Sequence, residues 1–212
     1  MRIDALYNTI VDILRKQRNG SVSIADFNLR AYQSVLDAYQ FYLNGYGVNQ
    51  QTHDALAPFK VKYSFTSTLQ GVVTFPPDYE RLLSIKPDTS VYAVDFYNED
   101  EIDLAASSAI RKVSSSYFIG ELLNNSAQLY PKQIVTGTIS YLRKPLQPIY
   151  NFTLSGTNNR TVTYNPTGSQ DVEFGDLYLW KVIQGILMRC GVNLEDAIVM
   201  QYSQITGQEN GK

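Results

Sequence analysis

The hydrophobic period of this 212-residue chain changes twice. It runs at about 3.6 residues to near position 58, switches to about 2, and returns to the helical value near position 177. A segment patterned for a helix cannot line up its apolar side chains as a strand, nor the reverse. The chain therefore reads as helices, then strands, then helices. Ile3, Leu6, Tyr7, Ile10, Val11 and Leu14 form one apolar stripe backed by Asp4, Asp12, Arg15 and Lys16, with Asn19-Gly20 as a stop. Ser23 opens a second helix, with Asp26 in a capping position, and Gly45 and Gly47 close it. This helix carries two stripes: Phe27, Ala31, Val35, Ala38 and Tyr42, and Tyr32, Leu36, Tyr39 and Leu43. A surface helix needs one. Two imply either complete burial or one face inward and the other against a second chain.

Strict alternation over Phe59, Val61, Tyr63 and Phe65 gives a half-buried strand, followed after Gly71 by Val72–Phe75 as its hairpin partner. Pro76-Pro77 ends that unit. Further strands are expected at 82–85, 91–97, 127–130 and 134–143, with a short helix over 98–110 headed by Asn98 and the acids Glu99, Asp100 and Glu101. A polar hairpin spans 150–164, its arms 150–154 and 161–164 holding out a tip with no apolar residue. The run Leu177–Met188 is apolar on most sides, which places Trp180 deep in the core where the helical ends meet. Gly191 stops it. Asn193 and Asp196 start a last helix to about Ile205, before a polar tail. The expected fold class is α+β: a bundle of N- and C-terminal helices with an inserted antiparallel β midsection. The corresponding boundaries are 1–57, 58–170 and 171–212.

Composition narrows the function. Formal net charge is −2, and the basic residues are scattered except for Arg15-Lys16-Gln17-Arg18 and Arg143-Lys144. The basic face of a nucleic-acid binder is not expected. A lone cysteine, Cys190, gives no intramolecular disulfide. The first 18 residues hold charges within their apolar pattern, unlike a signal peptide, and no apolar run is long enough to span a membrane.

The search for chemistry returns little. His53, the sole histidine, reads as a solvated side chain in the loop 49–57, and Cys190 as a small apolar residue at a helix end. Neither stands in a local nucleophile motif, and no phosphate-cradling glycine loop or metal-ligand spacing occurs. The acids Glu99, Asp100, Glu101 and Asp103 form the one carboxylate cluster; a charged helix start is its plain reading, calcium or glycosidic chemistry its sharper one. No enzyme activity, cofactor or metal is expected. Tyrosine, in contrast, is abundant, with 16 copies against one tryptophan. Its large rigid ring with a polar tip suits surfaces that stay soluble until they are covered.

The order of short segments is similar to that of a known group. Phe75-Pro-Pro-Asp-Tyr-Glu-Arg81 resembles a segment of many tailed-phage virion proteins. It is followed by Ser107-Ser108, Leu129-Tyr-Pro131, Ile139-Ser-Tyr-Leu-Arg-Lys-Pro145, then Phe174 to Leu194 and a Gln201-Tyr202 helix. The series, over about residues 1–206, resembles the neck-ring or head–tail connector proteins of short-tailed bacteriophages, notably crAss-like phages. The resemblance implies a virion protein, assembled in a host cytoplasm, that forms a closed ring, commonly twelve-fold. Its partners would be other copies of itself, the portal and neighbouring neck or tail rings. DNA would pass through the channel without specific binding, and no membrane or cofactor is implied. On this reading Tyr32, Leu36, Tyr39 and Leu43 of the second helix, with Gly156, Asn158, Asn159 and Arg160 of the hairpin tip, are the expected subunit interface. Two other classes stay open. One is a fibre-docking or carbohydrate-binding tail module using Tyr63, Tyr92, Tyr97 and Tyr141. The other is a hydrolase using Glu101 or Asp103.

Overall fold

The computed structural model describes residues 2–16, 21–108, 112–155 and 161–192. The expected stop at Asn19-Gly20, the hairpin tip and the helix from Asn193 lie outside them. The fold is α+β, with helices at both sequence ends and antiparallel and mixed sheets between. It divides into two compact units, Met1–Pro58 with Pro145–Lys212, and Phe59–Lys144. The second is thus an insertion in the first, and residues 145–170 group with the helices.

In the helical unit, α1 (Ile3–Lys16) buries Ile3, Leu6, Ile10, Val11 and Leu14. The first N–H groups of a helix lack intrahelical partners. The Ile3 N–H donates to Asp171 Oδ1 at 2.7 Å, where a carboxylate also complements the helix dipole. The next helix, α2 (Ile24–Asn44), starts at Ser23, whose Oγ accepts the Asp26 N–H at 3.1 Å. The segment read as a loop contains α3 (Gln50–Ala55), capped by Asn49. Its six residues are too few to show a helical period.

The last described helix, α5 (Leu179–Arg189), packs on α2 and α1 through Leu179, Val182, Ile186 and Leu187. Trp180 is only partly buried, which corrects the expectation of a core residue. The apolar run hides a single stripe. Trp180 lies about 100° around the helix from Leu179, at the edge of that stripe, and Met188 is exposed.

The inserted unit holds two sheets, β1-β7-β3 and β2-β6-β5-β4. Here β1 is Lys60–Thr66, β2 Val72–Thr74, β3 Tyr79–Pro87, β4 Asp95–Phe96, β5 Ile119–Leu123, β6 Ser126–Tyr130 and β7 Thr136–Arg143. Both sheets turn apolar residues into one cluster that includes Phe65, Val73, Ile85, Phe118, Leu129 and Ile139. The expected β1–β2 hairpin is not formed. Instead β1 pairs with β7, from Lys60↔Leu142 to Thr66↔Thr136, and β2 pairs with β6. Ser67 makes the chain change sheets. Its N–H donates to the Val135 carbonyl at 2.9 Å, its Oγ donates to the Gln133 carbonyl at 2.9 Å, and the Val135 N–H donates to that Oγ at 2.8 Å. The turn to Gly71, at φ +78, then delivers β2 to the other sheet.

The expected strand over 91–97 is reduced to β4. Of the helix expected over 98–110 the described part forms α4 (Glu99–Ala106), capped by Ser107, while 109–110 lie outside the described residues. The strand β5 escaped sequence reading. It joins β6 through Asn124-Asn125, with Asn125 at φ 63, a hairpin signal that asparagine tolerates well.

The Phe75-Pro-Pro-Asp-Tyr segment has a structural task. Tyr79 stacks on Phe75 at 4.3 Å, and Asp78 accepts the Tyr141 hydroxyl at 2.9 Å while its carbonyl accepts the Lys144 N–H at 2.8 Å. The segment fastens the start of β3 to the end of β7.

Candidate functional site

His53 stands on α3 with its ring 4.1 Å from that of Tyr46. Cys190 ends α5 beside Arg30; burial pushes its thiol up, and the guanidinium partly opposes this. Arg189, next in line, bonds Asp37 at 2.6 Å and Gln33 at 3.2 Å, tying α5 to α2. Among the described residues no three His, Cys, Asp or Glu side chains are grouped to hold a metal ion. No described helix is long and apolar enough to cross a membrane.

The expected interface on α2 needs correcting. Tyr39 is 1% exposed and lies inside its own unit, so it cannot present a ring to a second chain. Tyr32, Leu36 and Leu43 are partly covered. The two stripes merge into one broad buried face because Ser34 and Tyr39 join Phe27, Ala31, Val35, Ala38 and Tyr42. The exposed apolar residues of α2 are instead Leu29 and Phe41, the latter under the Lys181 ammonium at 4.3 Å. Gly156, Asn158, Asn159 and Arg160 lie outside the described residues. Of the aromatic candidates, Tyr63 and Tyr92 are exposed, whereas Tyr141 is 2% exposed and belongs to the core.

Two other surfaces emerge. The first is the hairpin of β8 (Phe152–Ser155) and β9 (Thr161–Tyr164), which forms where the sequence predicts it. Its register sets Phe152 opposite Tyr164 and Leu154 opposite Val162, so these four side chains share one face. Leu154 and Val162 are each 50% exposed. A two-stranded hairpin alone is marginal in water, and this one is secured at its base. Asn28 of α2 accepts the Tyr150 N–H at 2.8 Å and donates to the Tyr150 carbonyl at 3.2 Å, imitating a strand partner. The Tyr150 ring lies 5.1 Å from Tyr164 and 4.7 Å from Tyr7, and Arg2 lies 5.7 Å from the Tyr164 ring. Alternation within the arms was legible. That their apolar half would stand uncovered was not, because nothing local says what packs on it.

The second surface is in the inserted unit. An open groove of about 510 Å³ runs between α4 and β5, lined by Tyr97, Glu101, Leu104, Ala105, Tyr117 and Ile119 among others. A hollow of about 270 Å³ adjoins it at Tyr97, with Glu99, Glu121, Leu122 and Leu123 in its wall. Leu104 is 77% exposed, and Leu122 and Leu123 are also exposed. The Tyr97 N–H donates to the Gly120 carbonyl at 2.9 Å, which holds its backbone beside β5, and the Tyr117 hydroxyl donates to Asp95 at 2.9 Å, which fixes that ring in the wall. The acidic run thus heads α4 and rims an apolar groove. The missing clue was β5, without which α4 has no visible neighbour.

No protein-family model matches the chain. No curated protein matches it significantly either. Its two uncovered surfaces are an apolar groove with glutamates in its walls and an apolar hairpin face.

Proposed function

We propose that the chain is a structural subunit of a closed ring in the neck of a tailed bacteriophage, a head–tail connector that extends the DNA channel between portal and tail. One observation carries this reading: two unlike apolar surfaces stand uncovered, the hairpin face in the helical unit and the α4–β5 groove in the inserted unit. A ring built by rotation uses heterologous contacts, so each subunit needs two different complementary patches, whereas a two-fold dimer reuses a single one. Patches of this kind on a soluble chain mark surfaces awaiting a partner. The net charge of −2 also suits a conduit wall, since a strongly basic wall would retain phosphates.

Electron microscopy and native mass spectrometry of the purified protein, alone and mixed with the portal, test the proposal. Closed rings in either sample support it; monomer in both rejects it. A second reading, a carbohydrate-binding tail module, draws on Tyr97, Tyr117 and Glu101 in one open groove. It predicts saturable glycan binding that Tyr97→Ala abolishes.

A further inference from the structure

We infer that the outer face of the β1-β7-β3 sheet contacts the phosphate backbone of DNA without reading its sequence. The inference rests on the ring reading for its setting, the wall of the channel, and names the surface that DNA meets there.

The inner side of this sheet belongs to the apolar cluster of the inserted unit, through Phe65, Ile85 and Ile139. Residues directly opposite each other in a ladder share a face, so the register fixes what the outer side carries. One outward row is Lys62, Ser140 and Ser84, and the next is Ser64, Thr138 and Lys86. Lys60 and Arg81 stand in the row before them. All four cations are exposed, and among the described residues neither Lys62 nor Lys86 is held in an ion pair. Glu80, the single acid of the three strands, falls at the bulge between Tyr79 and Arg81, outside these rows. Asp88, just past β3, accepts from the Thr136 hydroxyl at 2.7 Å and closes the far end. Along the sequence these cations are scattered and show no basic face. Pairing β1 and β3 to the two sides of β7 gathers them. Strands about 4.8 Å apart and two-residue steps of about 6.8 Å set the Lys62 and Lys86 backbones on the order of 12 Å from each other, so their side chains can reach separate phosphates.

Composition decides between DNA and a protein partner. The buried middle of a protein interface is apolar and poor in charge. The outward rows here hold hydroxyls and cations instead. Tyr63, the one exposed large apolar residue of the three strands, shares the inner rows with Ile139 and Ile85. Phosphate oxygens take hydrogen bonds from lysine, arginine, serine and threonine, and such contacts carry no sequence information. Four cations are few, so the contact stays weak and sensitive to salt and lets DNA slide.

Fluorescence anisotropy of the purified protein with labelled duplexes of two unrelated sequences tests it. Wild type should bind both equally. Its affinity should fall about ten- to hundredfold between about 50 and 200 mM salt, the response of two to four phosphate contacts. Lys62→Glu with Lys86→Glu should weaken binding about tenfold or more at the lower salt, and Lys62→Gln with Lys86→Gln should weaken it less. Lys112→Glu with Lys132→Glu changes the net charge equally at exposed positions outside these rows, and should bind as wild type does. No binding by wild type at the lower salt, or an equal effect of the two Lys→Glu pairs, overturns the inference. So does binding of polyglutamate in place of DNA, which would make the face a protein-docking surface. Rings that bind no DNA leave the ring reading standing. A protein that binds DNA through this face and forms no ring, with or without portal, overturns the ring reading alone.

Discussion

Gly185 of α5 faces Ser34 of α2 so closely that a methyl group at Gly185 would stand 2.9 Å from both the Ser34 Cβ and its Oγ. Small residues on both helices set this approach, and it brings Val182 and Ile186 onto the buried face of α2. Gly185→Leu should therefore lower stability by about 2–3 kcal/mol through overpacking, despite the better helix propensity of leucine. The Ser34 Oγ is buried with no hydrogen-bond partner among the described residues. Ser34→Ala should raise stability by about 1 kcal/mol, because an unsatisfied buried hydroxyl is removed. Urea unfolding of both variants checks the pair of signs.

Gly137 in the central strand β7 is equally constrained. A Cβ there would meet the Lys86 carbonyl oxygen at 2.5 Å and the Phe65 ring at 2.8 Å. The carbonyl belongs to the β3 backbone, which cannot step aside without breaking ladder bonds. Gly137→Ala should cost about 2 kcal/mol or more, read as a lower urea midpoint with an unchanged slope.

The Tyr141 hydroxyl supplies a pH dependence. Burial first, and its bond to the Asp78 carboxylate second, push its pKa from 10.0 to about 12. A raised pKa stabilises the fold in full below pH 10, where both states keep the proton, and the contribution is lost as pH climbs to about 12. Tyr42, Tyr79, Tyr130 and Tyr150 are also raised by burial and share the alkaline window. Tyr141→Phe should cost about 1–2 kcal/mol at neutral pH, since Asp78 loses a donor, and should reduce rather than abolish the alkaline slope. Melts taken from neutral pH to about 12 decide this.

Asn28 holds the hairpin base with two bonds to Tyr150. Asn28→Ala should cost about 2 kcal/mol by leaving the Tyr150 amide groups without that partner. Hydrogen exchange should quicken at the amides of 150–154 and 161–164 more than in α1. Uniform quickening would mean that Asn28 serves the whole helical unit rather than the hairpin.

Local pattern told much of the fold. The α1 stripe, the Ser23 cap, the Gly45 stop and the β8–β9 arms are written within single turns or strands, and each forms where expected. What escaped depends on distant partners. Ser67 sends β2 to a different sheet by bonding residues near 135, which no window around position 67 contains. Trp180 looked central because its neighbours are apolar all round, yet which side of α5 is covered depends on where α1 and α2 lie. The groove could not be seen either, since Glu101 and Ile119 meet through the pairing of β5 with β4 and β6.

The bond from Ile3 to Asp171 joins positions 168 residues apart. During synthesis the inserted unit, one continuous stretch from Phe59 to Lys144, emerges whole and can close on contacts within itself before the helical unit has its last helix. Until α5 leaves the ribosome, α1 and α2 carry uncovered apolar stripes with no partner from the carboxyl side. The helical unit thus stays incomplete until synthesis of the chain is nearly over. An insertion that folds early shortens the effective span over which the two helical ends must then find each other.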